Sequence, residues 1–211
     1  EHREPFTNLL AQGMVQLEGE KMSKSKGNVV SPQAIVEEYG ADTARLFTMQ
    51  AAQPERDFDW SEQGVQSAHR FLSRLKELAE ARAAGDIETT AEAGPLAEYV
   101  AAERGAAIVV ATEEYDELVF NTAVRAAQSL VGTLRQYREY AAVHEATFDR
   151  ALSVAIRLLA PIAPHICEEL WETLDREGLV VDAEWPETDA DRGTVEKRQR
   201  LVENTREDVR Q

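Results

Sequence analysis

Lys21-Met22-Ser23-Lys24-Ser25-Lys26, followed by Gly27-Asn28, holds three of the chain's five lysines in six residues. The other basic residues are almost all arginine, in a chain that carries 39 acidic residues against 23 basic ones. Lysine is a compact point charge on a flexible stem, suited to following a polyphosphate as it moves. Serine and glycine around it keep the backbone supple and add hydroxyl and N–H donors. The chemistry this pattern points to is phosphate chemistry.

A loop of this kind has a specific use when a carboxylate attacks the α-phosphate of ATP. Negative charge then builds on the departing pyrophosphate. Two ammonium groups closing over it stabilise the transition state more than the ground state. A loop that closes only over substrate does so without holding ATP too tightly beforehand. The plainer alternative is a solvated basic loop or a contact to a nucleic-acid backbone.

Other chemistry-bearing residues read more simply. Asp42 and Arg45 share a predicted helix at a spacing close to that of a salt bridge. Asp57 and Asp59 flank Phe58 in a turn, where capping and turn formation suit them better than a metal. His165 follows Pro164 at a helix start and suits a first-turn hydrogen bond. No pair of histidines has zinc-ligand spacing, and no metal site is expected. Cys167, the single cysteine, lies in an apolar helical stretch and reads as a small buried hydrophobe.

The elements that must position the lysines are short. Gly13 to Leu17 alternates apolar and polar side chains, which predicts a strand. Glu18-Gly19-Glu20 reads as a turn, and a second extended piece or loop carries the lysines. Ser31-Pro32 opens a helix that ends at Gly40. A second helix is predicted from about Ala41 to Ala52, stopped by Pro54. From Ser61 the pattern is helical: Val65, Ala68, Leu72, Leu75 and Ala79 recur at three- and four-residue steps. Gly85 to Gly94 is a polar loop. Pro95 starts the next helix. Ala123, Ala127, Leu130 and Leu134 mark another, then Leu152 to Leu159, and after Pro161 and Pro164 a last one with Leu170 and Trp171. Gly178 to Trp185 reads as an extended segment crossing the bundle. Val195, Val202 and Val209 draw a thin seam on a charged terminal helix. The expected fold is mainly α: an antiparallel bundle preceded by a small α/β piece.

Bulk composition excludes several classes. Hydrophobic content of 43% is ordinary for a soluble protein. No apolar run is long enough to span a bilayer and no leader is visible, so no membrane partner and a cytoplasmic location are expected. A net charge of −16 is foreign to a free-standing nucleic-acid binder. An acidic, lysine-poor surface instead fits a protein that works in concentrated salt, where its self-repulsion is screened.

Lys21 to Ser25 is the KMSKS signature of class I aminoacyl-tRNA synthetases. At average residue usage that pentapeptide arises by chance in a chain of this length less than about once in ten thousand. Gln12-Gly13-Met14-Val15, Tyr39-Gly40-Ala41-Asp42-Thr43-Ala44-Arg45-Leu46-Phe47 and Ala51 to Ser61 resemble the leucyl-tRNA synthetases. The isoleucyl and valyl enzymes have similar loops. Pro161-Ile162-Ala163-Pro164-His165, Glu168-Glu169-Leu170-Trp171 and Trp185-Pro186 resemble the end of the helical anticodon-binding domain of this subgroup. The resemblance is sharpest over residues 12 to 72.

The resemblance implies three segments. Residues 1–60 would be the end of a catalytic domain, with the KMSKS loop and a stem-contact fold. Residues 61–176 would be a bundle like the class Ia anticodon-binding domain. Residues 177–211 would be a connector and the start of a truncated helix. Lys24 is the expected catalytic ATP contact and Lys21 its assistant, with Met22, Ser23 and Ser25 completing the ATP-binding stretch. Lys26 would lend supporting charge. Arg70, Arg74, Arg125 and Arg135 are the candidate contacts to tRNA phosphates. ATP with Mg2+, leucine and tRNA(Leu) are the implied substrates and partners, and a monomer is expected. The family's His-Ile-Gly-His motif occurs nowhere here. The implied chain is therefore a C-terminal portion that does not aminoacylate alone. The rival reading is a non-catalytic helical RNA-binding module.

Overall fold

The computed structural model describes residues 6, 8–140, 142–191, 193, 195 and 197. Strands β1 (Val15–Leu17) and β2 (Glu20–Lys21) form an antiparallel hairpin. Helices α1 (Pro32–Tyr39) and α2 (Ala41–Ala51) follow, then β3 (Phe58–Asp59), which pairs in parallel with β1. The sheet order is β2-β1-β3. Helix α3 (Glu62–Ala83), strand β4 (Thr89–Thr90), helices α4 (Pro95–Asp116) and α5 (Phe120–Tyr140), strand β5 (Val143–His144), and helices α6 (Glu145–Leu159) and α7 (Pro164–Thr173) complete the order.

The starts of these helices follow local chemistry. Ser31 precedes Pro32 and its Oγ accepts from Ala34 N–H at 3.4 Å. Ser61 caps α3 the same way, accepting from Gly64 N–H at 3.2 Å. Gly40, with φ of 85°, both ends α1 and opens α2. That left-handed backbone is what glycine supplies without strain.

Two apolar clusters hold the fold. The larger joins α3 through α7, with Leu75, Leu78, Leu130, Leu134, Phe148 and Leu152 fully buried. Burial of each such side chain contributes about 1.5–3 kcal/mol. The smaller joins Ile35 of α1, Leu46 and Phe47 of α2, Val65 and Leu72 of α3, Val124 of α5, and Ile162. Phe47 sits edge-on to both Phe58 and Trp60. The α/β piece is thus packed onto the bundle through apolar side chains from both sides of residue 60.

The structure differs from the pattern reading in two places. The polar loop between Gly85 and Gly94 contains β4, which pairs in parallel with β5. Its partner lies more than fifty residues away, so no local pattern marks it. The segment predicted as extended from Gly178 to Trp185 is interrupted by a 3-10 turn at Val180–Asp182, with extended backbone at Leu179 and Ala183. Glu168 Oε2 accepts from Val180 N–H at 3.0 Å, and Val180 is buried against the bundle. Val202 and Val209 lie outside the described residues.

Candidate functional site

The lysine loop begins at the end of β2 and is closed by a single side chain. Asn28 Oδ1 accepts from Ser23 N–H at 2.9 Å, while Asn28 Nδ2 donates to the Lys21 carbonyl at 3.2 Å. Inside this clasp the backbone turns tightly: Lys26 and Gly27 N–H both reach the Ser23 carbonyl at 3.1 Å. Gly27 takes φ of 73°. The Ser23 and Ser25 hydroxyls stand 2.8 Å apart. Every bond that shapes the loop is polar and local.

The lysines divide in two. Lys26 Nζ pairs with Glu20 at 3.0 Å, in an exposed bridge worth at most about 1 kcal/mol. Lys21 and Lys24 are exposed and have no ion pair among the described residues. Two ammonium groups on one short turn, lacking carboxylate partners in an acidic chain, are free to meet an incoming anion.

The hairpin under the loop is fixed by the two aspartates of β3 and the residue before it. Asp57 accepts from Met14 N–H at 2.6 Å and from Gln16 Nε2 at 3.2 Å; Asp59 accepts from Gly19 N–H at 2.8 Å. Gly13 passes so close to the Arg56 carbonyl that a Cβ would run into it. These residues act as turn anchors, as their sequence setting predicted.

Asp42 and Arg45 do not pair with each other. Both reach across to the start of α7. The buried Asp42 carboxylate accepts from Ile166 N–H at 2.7 Å and faces His165 Nδ1 at 2.9 Å. Arg45 donates to the carbonyls of Ile162 at 2.8 Å and Pro161 at 3.1 Å. The α7 N-terminus is therefore capped by a carboxylate from α2, some 120 residues earlier in sequence. Nearby, Tyr39 donates to Glu62 at 2.6 Å, and that carboxylate pushes the phenol up to about 12. Burial pushes the Cys167 thiol well above its ordinary range, in keeping with an inert core residue.

The four arginines marked for RNA phosphates are only partly brought together. Arg74 of α3 and Arg135 of α5 both act on Glu77, which Arg138 bonds at 2.9 Å. Arg138 first, then the other two, hold that carboxyl below its usual range. Arg135 is half-buried and its Nε has no hydrogen-bond partner among the described residues. Arg70 is one turn before Arg74. Arg125 stands ten residues, or about 15 Å of helix, from Arg135 and lines a separate cavity with Glu103. Arg138 stands on this face too, with Tyr140 beside it 75% exposed. Tyr137 is buried and accepts from His144 N–H at 2.8 Å. Trp171 is buried, Trp60 packs half-buried against Phe47, and Trp185 sits edge-on to Tyr115.

Sequence reasoning passed over Asn28 as a structural clasp. The signal was present: asparagine just after a glycine commonly bonds nearby backbone. It also passed over four arginines that line one cavity: Arg104, Arg150, Arg157 and Arg176. Only the seven-residue spacing of Arg150 and Arg157 on α6 hinted at a shared face.

Comparison with known proteins places this geometry. The model of the anticodon-binding domain of tRNA ligase matches residues 98–211. That of class I tRNA synthetases (I, L, M and V) matches residues 1–61. Leucine–tRNA ligase of Halobacterium salinarum is 50% identical over all 211 residues, which make up 24% of that protein. The Nitrosococcus oceani leucine–tRNA ligase is 42% identical over 194 residues, covering 89% of this chain and 24% of that protein. The chain thus spans about a quarter of the length of the curated relatives it matches. Among solved structures, the Agrobacterium radiobacter K84 agnB2 LeuRS–tRNA–LeuAMS ternary complex superposes with a TM-score of 0.76 at 31% identity, covering 88% of this chain and 24% of that one. Mycobacterium tuberculosis methionyl-tRNA synthetase, at 20% identity and a TM-score of 0.65 over 77% of this chain and 37% of that one, shares the fold. The mainly helical bundle, with the α/β piece and its lysine turn ahead of it, follows from membership: the chain belongs to the tRNA ligases that carry this anticodon-binding domain.

Proposed function

We propose that the whole protein ligates L-leucine to tRNA(Leu) through a leucyl-adenylate made from ATP, and that this chain supplies its mobile phosphate loop and its tRNA-bracing bundle. The observation that carries the reading is the pair Lys21 and Lys24. They stand without ion pairs on an Asn28-clasped turn, in a chain half identical to a leucine–tRNA ligase.

In this reading ATP arrives with Mg2+. Leucine's carboxylate oxygen attacks the α-phosphorus, and the bond from that phosphorus to the bridging oxygen of pyrophosphate breaks. Lys24 meets the charge that develops on the leaving group, and Lys21 assists. Their ammonium groups act by electrostatics and transfer no proton. Met22, Ser23 and Ser25 shape the turn. Arg70, Arg74, Arg125 and Arg135 meet tRNA phosphates, and Arg138, which bonds Glu77 beside two of them, joins the group. Residues 1–60, 61–176 and 177–211 are the proposed segments. The protein is proposed to act as a cytoplasmic monomer, and the chain alone is not expected to aminoacylate.

ATP–pyrophosphate exchange by the full-length protein, run with leucine, isoleucine and valine in turn, tests the reaction and its specificity. Leucine-dependent exchange is expected. Exchange driven better by isoleucine or valine moves the reading to those enzymes, and exchange with none of them rejects it.

The charge balance carries a second proposal. At −16, with arginine in place of nearly all lysine, the surface suits concentrated salt. The melting temperature should climb between low and multimolar KCl, and equal stability in both would remove the idea.

A further inference from the structure

A cavity of about 460 Å³ opens between α4, α6 and the turn after α7. Four arginines from these three segments line it: Arg104 of α4, Arg150 and Arg157 of α6, and Arg176. Such a gathering is unfavourable unless something offsets it, because like charges repel and desolvation adds to the cost. Both effects register here. Burial, then Arg150, pulls the Arg104 guanidinium below its ordinary range. Burial, then Arg176, does the same to Arg157, and the Glu184 charge opposes it only in part.

The carboxylates at hand do not neutralise the group. Asp149 lines the cavity but is bound by Arg82, at 2.6 Å through Nε and 2.9 Å through Nη2. Glu187 is the other acidic residue on the wall. Arg157 Nη1 donates to a backbone carbonyl, that of Glu184, at 2.9 Å. Among the described residues, Arg104, Arg150 and Arg176 form no ion pair with a carboxylate. Among the described residues, Arg82 and Arg138 are the only arginines that pair with a carboxylate, so what sets this group apart is the gathering of four arginines in one cavity. Guanidinium forks match phosphate oxygens two at a time. Three of the arginines stand on α4 and α6, which pack against each other, so most of the site is already shaped before a ligand arrives.

We propose that this arginine-lined cavity between α4, α6 and the turn after α7 binds a backbone phosphate of RNA, on a face separate from the Arg74–Arg135–Arg138 group. It rests on the reading that the whole protein engages tRNA. An acidic surface repels RNA at most points, so a local excess of arginine marks where the backbone can approach.

The test is binding of a tRNA(Leu) transcript to the full-length protein, read by anisotropy across a KCl series. Arg104→Gln with Arg150→Gln should weaken binding about tenfold and lower the salt slope by about 1 for each phosphate no longer neutralised. Arg104 is half-buried, so Arg150→Gln alone is the second variant. It should weaken binding several-fold while the melting temperature stays at the wild-type value. If wild type binds and both variants match it in affinity and slope, this proposal is overturned and the ligase reading stands. If wild type neither binds the transcript nor exchanges pyrophosphate, the ligase reading falls and this one with it. Inorganic phosphate separates the remaining source. If millimolar phosphate stabilises wild type but not the double variant, while the transcript binds both equally, the cavity takes free phosphate and the RNA assignment is overturned.

Discussion

The lysine turn and the helix bundle are built on opposite plans. The turn is shaped by hydrogen bonds between residues at most seven apart, all close to water. The bundle is shaped by apolar side chains from five helices that meet far from one another in sequence. Polar bonds in water contribute little net stability, so the turn can open and close at small cost. A packed core cannot, because removing atoms leaves a cavity that only partly relaxes. The difference divides the molecule into a part that moves charge and a part that holds position. Substitutions in the two parts should therefore fail in different assays.

The largest effect belongs to the bundle. Phe148 of α6 is fully buried in the main core. Phe148→Ala should cost about 3–5 kcal/mol of stability, read from the midpoint of urea unfolding. A loss under about 1 kcal/mol, the scale of a surface change, would break the contrast.

Lys24→Ala comes next and should fail in the other assay. In the proposed reaction, losing one electrostatic donor to a developing charge lowers kcat by about 10²–10³-fold. Leucine binding should change little, and the melting temperature should not move, because Lys24 is exposed and has no ion pair among the described residues. A wild-type exchange rate in this variant would take the catalytic role away from the turn.

Asp42 tests the seam between the two parts. It is buried on α2 and accepts from the first turn of α7. Asp42→Ala leaves the Ile166 N–H without its partner and should cost about 1–3 kcal/mol. Asp42→Asn keeps an acceptor oxygen and should recover part of that loss. Equal stability of the two variants would mean that the cap is immaterial.

How much of this could be read from the chain depended on distance along it. The strand at Val15–Leu17, the helix starts at Ser31 and Ser61 and the apolar stripes of α3 to α7 rest on neighbours within one or two turns, and the structure has them. β4 could not be read, because its partner β5 lies beyond two helices. The spacing of Asp42 and Arg45 could not show their partners for the same reason: these are residues 161 to 166. The Arg104–Arg176 cavity gathers residues from three segments, and no single window of sequence contains it. The KMSKS turn lies at the other extreme. Its clasp, its turn and its charges all fall between Glu20 and Asn28.

Asn28 gives the smallest and most discriminating effect. Its amide bonds both arms of the turn, as acceptor toward Ser23 N–H and as donor toward the Lys21 carbonyl. Asn28→Asp retains the acceptor, loses the donor and sets a carboxylate near Lys21 and Lys24. Asn28→Ala removes both bonds and adds no charge. If the clasp positions the lysines, both variants should slow ATP–pyrophosphate exchange by several-fold to about tenfold, the worth of one or two ordinary hydrogen bonds, with unfolding midpoints unchanged. If charge alone matters, Asn28→Asp should be slow and Asn28→Ala should match wild type. That second result would show the lysines working from a turn whose shape is immaterial, and the division between a moving part and a holding part would then rest on charge rather than on geometry.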